Sequence, residues 1–316
     1  MGEDSDREKA KNGEEGQKEK KLRMLGLEPV ETEHRIRLNR EELSYVARAG
    51  VLPLKDDKGE TRAEVFFTAY ELEDGGSREE RPLTFAFNGG PGSSSIWLHM
   101  GALGPKRVVM EPEGWMPAPP YRAEPNPGSW LPATDLVFVD PVGTGFSRAA
   151  KEDGYKDFLN FQGDIESVGE FIRLYLSRYG RWSSPVFLAG ESYGTTRAAG
   201  LSSHLFGGGV ALSGLVLIST ALDLRPIFFG EGDDLPYGLF VPTYAATAWY
   251  HGRLREELQR RDPEELMAEV EEWVESELSV ALMKGDRLDG ERLREVAEKL
   301  AYYTGLEPEY VLGSNL

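Results

Sequence analysis

Ser192 stands in the run Gly190-Glu191-Ser192-Tyr193-Gly194, behind the apolar stretch Pro185-Val186-Phe187-Leu188-Ala189 and ahead of a helix-like segment. G-x-S-x-G at a strand-to-helix junction is the layout of a nucleophile elbow. The sharp turn lifts the serine hydroxyl clear of the sheet, and the glycines leave room where side chains would collide. The helix behind it offers N–H groups and a favourable field to a developing negative charge, which is what acyl transfer requires. Ala198, Ala199 and Ser202 give that helix a narrow face, suited to lying close on a sheet. The bland alternative is a Gly-Ser turn that carries no chemistry.

Acyl transfer needs two backbone donors aimed at the oxyanion. One comes from the residue after the nucleophile, here Tyr193, and the other from a glycine-rich loop after an earlier strand. Arg81 to Phe87 reads as a buried strand and runs into Asn88-Gly89-Gly90-Pro91-Gly92-Ser93-Ser94-Ser95, so Gly89-Gly90 fall where that loop belongs. A phosphate-cradling loop does not fit. No Lys-Ser/Thr follows, and the glycine spacing matches neither G-x-x-x-x-G-K nor G-x-G-x-x-G.

The elements that must hold these residues fit an α/β chain. At 316 residues with 40% hydrophobic content, the sequence suffices for one large domain with an appendage, or for two modest domains. A net charge of −18 argues against nucleic acid or an anionic membrane as partner. The absence of cysteine excludes disulfides, thiol catalysis and thiolate metal sites. No metal-ligand cluster or cofactor motif stands out, so no cofactor is expected. The opening MGEDSDREKAKNGEEGQKEKK has no apolar signal-like region, and no run approaches the ~18 apolar residues of a membrane span, giving a cytoplasmic expectation.

Residues 1–23 read as a disordered charged tail, 24–220 as the α/β core and 221–316 as a helical cap region. The core starts with short strands: His34 to Leu38 alternates, Val51 to Leu54 leads into a turn over Lys55–Glu60, and Ala63 to Leu72 follows. The proline-rich stretch from Glu111 to Pro132 reads as a surface excursion. Asp135 to Val139 is a buried strand ending in Asp140-Pro141-Val142-Gly143-Thr144-Gly145-Phe146-Ser147, a loop expected to border the cleft. Apolar residues at steps of three and four from Asn160 to Gly180 predict an amphipathic helix, N-capped by Asn160. Gly214 to Thr220 is the strand after the elbow helix. Beyond it helices are expected over about Val241–Arg260, from Asp262 and from Asp289, forming a cap inserted over the carboxyl end of the sheet.

The four motifs Asn88–Ser94, Gly101-Ala102-Leu103-Gly104-Pro105, Pro141–Ser147 and Gly190–Gly194, in that order, resemble the serine carboxypeptidase family. The resemblance covers about residues 60–220, and the cap more loosely. It implies an α/β-hydrolase fold, a mostly parallel sheet flanked by helices, and release of single residues from the C-termini of peptide substrates. Role by role, it implies Ser192 as nucleophile and the N–H groups of Gly90 and Tyr193 as oxyanion hole. Asn88, the Gly89 N–H and Glu191 are implied to hold the substrate's terminal carboxylate. Two carboxylates share a desolvated cleft only if one keeps a proton, so turnover is expected to favour mildly acid pH.

Two features depart from the family. The acidic residue common before Leu-Gly-Pro is Ala102 here, and the cysteine common after Pro-Gly is Ser93. In this family the Asp and His of the triad follow the cap, on strands expected beyond Leu316, so the sequence reads as an incomplete enzyme. His204 lies twelve residues along the elbow helix from Ser192, about 18 Å at the helical rise. His34 precedes the core, His251 falls in the cap, and His99 follows the glycine loop, where it could line the cleft. The alternatives are an esterase or amidase of the same fold, and a catalytically incomplete peptide-binding chain.

Overall fold

Leu83–Phe87 and Asp135–Val139 are buried at every position. Near-continuous apolar runs of this kind occur where both faces of a sheet are covered. The computed structural model describes residues 26, 28–230 and 232–316; the stretch read as a charged tail, 1–23, lies outside the described residues.

The sheet contains β1 (Val30–Leu38), β2 (Glu41–Lys55), β3 (Thr61–Leu72), β4 (Leu83–Phe87), β5 (Asp135–Val139), β6 (Val186–Glu191) and β7 (Leu212–Ile218). Their spatial order is β1-β2-β3-β5-β4-β6-β7, with a two-residue strand, Arg148–Ala149, beside β3. The first four in space are joined antiparallel, and β5, β4, β6 and β7 run parallel. The α/β-hydrolase expectation therefore holds, on a sheet that is mixed. Its parallel half carries the candidate site.

Register puts Phe85 between Val137 and Leu188. On that face α1 (Phe161–Arg178) and α2 (Tyr193–Gly207) cover the sheet, with Phe171, Tyr175, Ala198 and Leu201 in the core. Each such buried phenylalanine contributes on the order of 1.5–3 kcal/mol. The alternate residues Ala86, Leu136, Phe138 and Ala189 meet Leu98, Leu103 and Leu131 on the other face. α1 starts where Asn160 Oδ1 accepts the Gly163 N–H at 2.9 Å, as the capping pattern predicts.

At the start of β5, the Asp135 carboxylate takes Arg81 Nε and Arg181 Nη1, each at 2.7 Å, all three side chains being buried. This charged lock sits at the opposite end of β5 from the candidate site. The proline-rich excursion exposes Trp115, Met116 and Tyr121, yet it is pinned at its far end. Asn126 Nδ2 donates to the carbonyls of Ala102 and Gly104 at 2.6 and 2.9 Å, and Leu131 is fully buried.

A boundary between compact units falls between Leu222 and Asp223. The second unit contains α3 (Leu235–Tyr250), α4 (Pro263–Trp273), α5 (Gly290–Thr304) and a final turn, Pro308–Gly313. Val241, Ala245, Leu266, Val270 and Tyr303 are among the residues forming its core. Asp262 Oδ1 caps α4 by accepting the Glu264 and Glu265 N–H groups. The helix expected over Val241–Arg260 is corrected at both ends. α3 begins six residues earlier, with Pro236 in its first turn and Pro242 tolerated inside, and it stops at Tyr250 before Gly252 at φ +64°. No helix among the described residues is long and apolar enough to cross a membrane.

Candidate active site

Ser192 occupies the one-residue corner between β6 and α2, at φ +58° and ψ −126°. For a residue with a Cβ this backbone costs on the order of 1–3 kcal/mol, and it is held by bonds on both sides. The Ser192 N–H donates to the Ile218 carbonyl of β7 at 3.0 Å. Its carbonyl accepts the Thr195 N–H at 2.9 Å and the Thr195 hydroxyl at 2.7 Å. The Thr195 hydroxyl oxygen in turn accepts the Ala221 N–H at 2.8 Å. The serine side chain is partly exposed at the carboxyl end of the parallel strands.

The glycine loop lies directly against this corner. A Cβ on Gly89 would fall 2.4 Å from the Tyr193 nitrogen, and one on Gly194 would fall 2.7 Å from the Phe87 carbonyl oxygen. Only glycine permits so close an approach of two backbones. The loop closes as a turn through the Ser93 N–H to the Gly89 carbonyl, at 3.1 Å. The residues predicted to supply the oxyanion donors, Gly90 and Tyr193, are thus brought together from two elements about a hundred positions apart.

Asn88, buried at the end of β4, fixes the third part of the site. Its Oδ1 accepts the Leu98 N–H at 2.9 Å, which sets the amide orientation, and its Nδ2 then donates to Glu191 Oε2 at 2.9 Å. The two residues predicted to act together are therefore hydrogen bonded to each other, and Gly89 follows Asn88 directly. The backbone carbonyl of Asn88 accepts Arg197 Nη1 at 2.8 Å.

Arg197 and Asp164 were not legible as site residues. The Arg197 guanidinium donates through Nε to both Asp164 oxygens, at 3.0 and 2.9 Å, with only 1% and 9% of the two side chains exposed. It also lies 5.3 Å from the ring centroids of Phe87 and Tyr193. Burial, with the negative Asp164 nearby, pushes the Tyr193 phenol above its ordinary range. The available signal was an ionisable residue on the buried face of each helix. Asp140 stands at the head of the loop after β5, which the sequence places at the border of the cleft. It accepts the Ser95 N–H at 2.8 Å, tying the glycine loop to the loop after β5, and burial pushes its carboxyl up.

Among the described residues, no histidine ring is hydrogen bonded to Ser192. His99 is held by the Tyr70 hydroxyl at 2.6 Å and stacks on Phe138 at 4.6 Å, and burial pushes its ring down to about 4. It belongs to the packing behind the sheet rather than to the cleft. His204 is laid against Gly169 of α1, where a Cβ would meet the ring at 2.5 Å. His34 pairs with Thr32 and stacks on Tyr45, and His251 is exposed in the second unit.

Residues 41–274 match the family model described as serine carboxypeptidase. The pheromone-processing carboxypeptidase KEX1 of Saccharomyces cerevisiae is 33% identical over 156 residues, which are 46% of this chain and 20% of that protein. Serine carboxypeptidase-like 50 of Arabidopsis thaliana is 29% identical over 280 residues, 83% of this chain and 53% of the plant protein. The crystal structure of the Saccharomyces cerevisiae prohormone-processing carboxypeptidase aligns with a TM-score of 0.47 and 22% identity, covering 82% of this chain and 53% of that one. The chain thus spans a fifth of the yeast relative's sequence and about half of the plant relative's.

Proposed function

The chain belongs to the serine carboxypeptidase family, and we propose that it serves to release single residues from peptide C-termini through an acyl-Ser192 intermediate. Ser192 Oγ attacks the carbonyl of the last peptide bond while its proton passes to a histidine base. The N–H groups of Gly90 and Tyr193 receive the oxyanion. The C–N bond then breaks, the base returns the proton to the departing amine, and the free amino acid leaves. Water, deprotonated by the same base, attacks the acyl ester and regenerates Ser192. His34, His99, His204 and His251 each have another placement, so none of them is assigned as that base.

The observation that carries the exopeptidase reading is the Asn88–Glu191 hydrogen bond at 2.9 Å beside the nucleophile corner. A simple ester offers nothing for this pair to hold, whereas a terminal carboxylate accepts from Asn88 Nδ2, from the Gly89 N–H and from a protonated carboxyl. Glu191→Ala, which removes the donor that glutamine would keep, tests the reading. It should slow an N-blocked dipeptide about 10–100-fold, the worth of one charge-assisted hydrogen bond, and leave an uncharged ester nearly unaffected. Equal losses on both substrates would favour an esterase.

A further inference from the structure

β1 forms one end of the sheet, and among the described residues it pairs with β2 alone. We propose that this edge is the docking surface for a second copy of the chain, the two β1 strands joining antiparallel about a two-fold axis at His34.

Backbone geometry is the first argument. An edge strand presents unpaired N–H and C=O groups, a template for another strand. In an antiparallel pair alternate residues bond across, and the residues between turn their groups to the other side. The Ser44 carbonyl of β2 accepts the Glu73 N–H at 2.9 Å, so Ser44 faces away from β1. Its cross-strand neighbour Arg35 therefore turns its own N–H and C=O outward, and so do Glu31, Glu33 and Arg37 at the same parity. A two-fold at His34 brings Glu31 opposite Arg37 and Glu33 opposite Arg35, each a hydrogen-bonded pair. On the other face the two His34 rings stand beside the axis, each stacked on its own Tyr45. Val30, 65% exposed, comes opposite Leu38 of the second copy.

Charge is the second argument. β1 reads Val-Glu-Thr-Glu-His-Arg-Ile-Arg-Leu, with its acids before His34 and its bases after. Charges on an edge commonly keep other strands away, but this segregation makes the strand complementary to itself. A two-fold at Glu33 or Arg35 would set like charges on the axis. One at Thr32 would oppose Glu31 to Glu33, and one at Ile36 would oppose Arg35 to Arg37. Only the His34 register among these pairs every charge with its opposite. The row continues into β2, where Arg37 lies opposite Glu42 and Glu31 opposite Arg48, which bonds it at 2.5 Å. Across four strands the row runs Glu42, Arg37, then Glu31 and Arg48 of the second copy, alternating in sign at each step. Among the described residues Glu33, Arg35 and Arg37 are exposed and make no ion pair, so pairing breaks nothing. Each chain carries −18, a repulsion that 0.15 M salt screens beyond about 8 Å, whereas opposed Cβ atoms stand only ~5 Å apart.

The test is sedimentation equilibrium of the full-length protein in 0.15 M salt, which should give twice the mass of one chain. Arg35→Glu and Glu33→Arg, each at an exposed position, set two like-charge pairs beside the axis. Either should raise the dimer Kd about 10–100-fold. Mixing the two variants restores both opposite pairs in a heterodimer, so the mixture should dimerise at a concentration where neither variant does alone. Amide hydrogen exchange should slow at Glu31, Glu33, Arg35 and Arg37 in the wild-type dimer and in neither variant. β1 lies four strand spacings from β4, about 19 Å, so unchanged circular dichroism and ester turnover would show that the variants remain folded. A wild type that is monomeric up to ~0.1 mM would overturn the proposal. So would a dimer whose mass neither variant shifts, or a mixture of the variants that stays monomeric.

Discussion

Arg197→Met is the substitution whose cost can be worked from the structure with the fewest assumptions. The guanidinium gives two bonds to Asp164 and one to the Asn88 carbonyl, in a place where almost nothing of either charged side chain is exposed. Methionine keeps much of the apolar stem but strands the Asp164 carboxylate in a desolvated position. Removing one partner of a buried pair costs about 3–5 kcal/mol, most of it the penalty on the charge left behind. At a urea m-value near ~3 kcal/mol/M, the midpoint should fall by about 1–1.7 M, read by circular dichroism. The double variant Arg197→Met with Asp164→Leu removes the stranded charge and should be more stable than the single variant, despite having one more substitution. A single variant within ~1 kcal/mol of wild type would refute the reasoning, because the pair would then be solvated. A double variant costing the sum of two single losses would refute it as well.

Two further outcomes follow from the same structure. Gly89→Ala places a methyl 2.4 Å from the Tyr193 nitrogen, so the loop must move away from the elbow; kcat should fall about 10²–10³-fold, as when an oxyanion donor is lost, and near-wild-type turnover would contradict the assignment. His99 has its ring pushed from 6.5 down to about 4 by burial. Above pH 6.5 neither folded nor unfolded chain binds its proton. As pH falls from 6.5 towards 4 the unfolded chain takes up a proton that the folded chain refuses, so stability is lost over that window, by about 3 kcal/mol in all. His99→Gln, which keeps a partner for Tyr70, should remove that part of the acid slope in denaturation measured at pH 7 and pH 4. An unaltered slope would contradict the burial of a neutral ring.

What could be read from the sequence was whatever is local. The elbow, the glycine loop, the two largely apolar strands and the Asn160 cap are each encoded within a few residues, by turn chemistry or by period. Strand order was not. Nothing in the period of Asp135–Val139 says that it slips between β3 and β4, since long-range pairing is decided by packing. The Asp164–Arg197 pair spans 33 positions, and each member alone resembles an ordinary charge on an amphipathic helix. His99 follows the glycine loop so closely that proximity in sequence argued for the cleft. Instead the turn after Leu98 carries its ring towards Tyr70 and Phe138. The helix expected from Val241 had Pro242 in its first turn, where proline is common, whereas α3 begins at Leu235 and carries Pro242 inside it.

The most direct test of the central claim is C-terminal release from an N-blocked dipeptide and from its C-terminal amide, compared by mass spectrometry for the full-length protein and for Ser192→Ala. The account predicts that the free acid loses its last residue, that the amide is spared, and that Ser192→Ala does neither. Equal cleavage of acid and amide, or persistent release in Ser192→Ala, would contradict it.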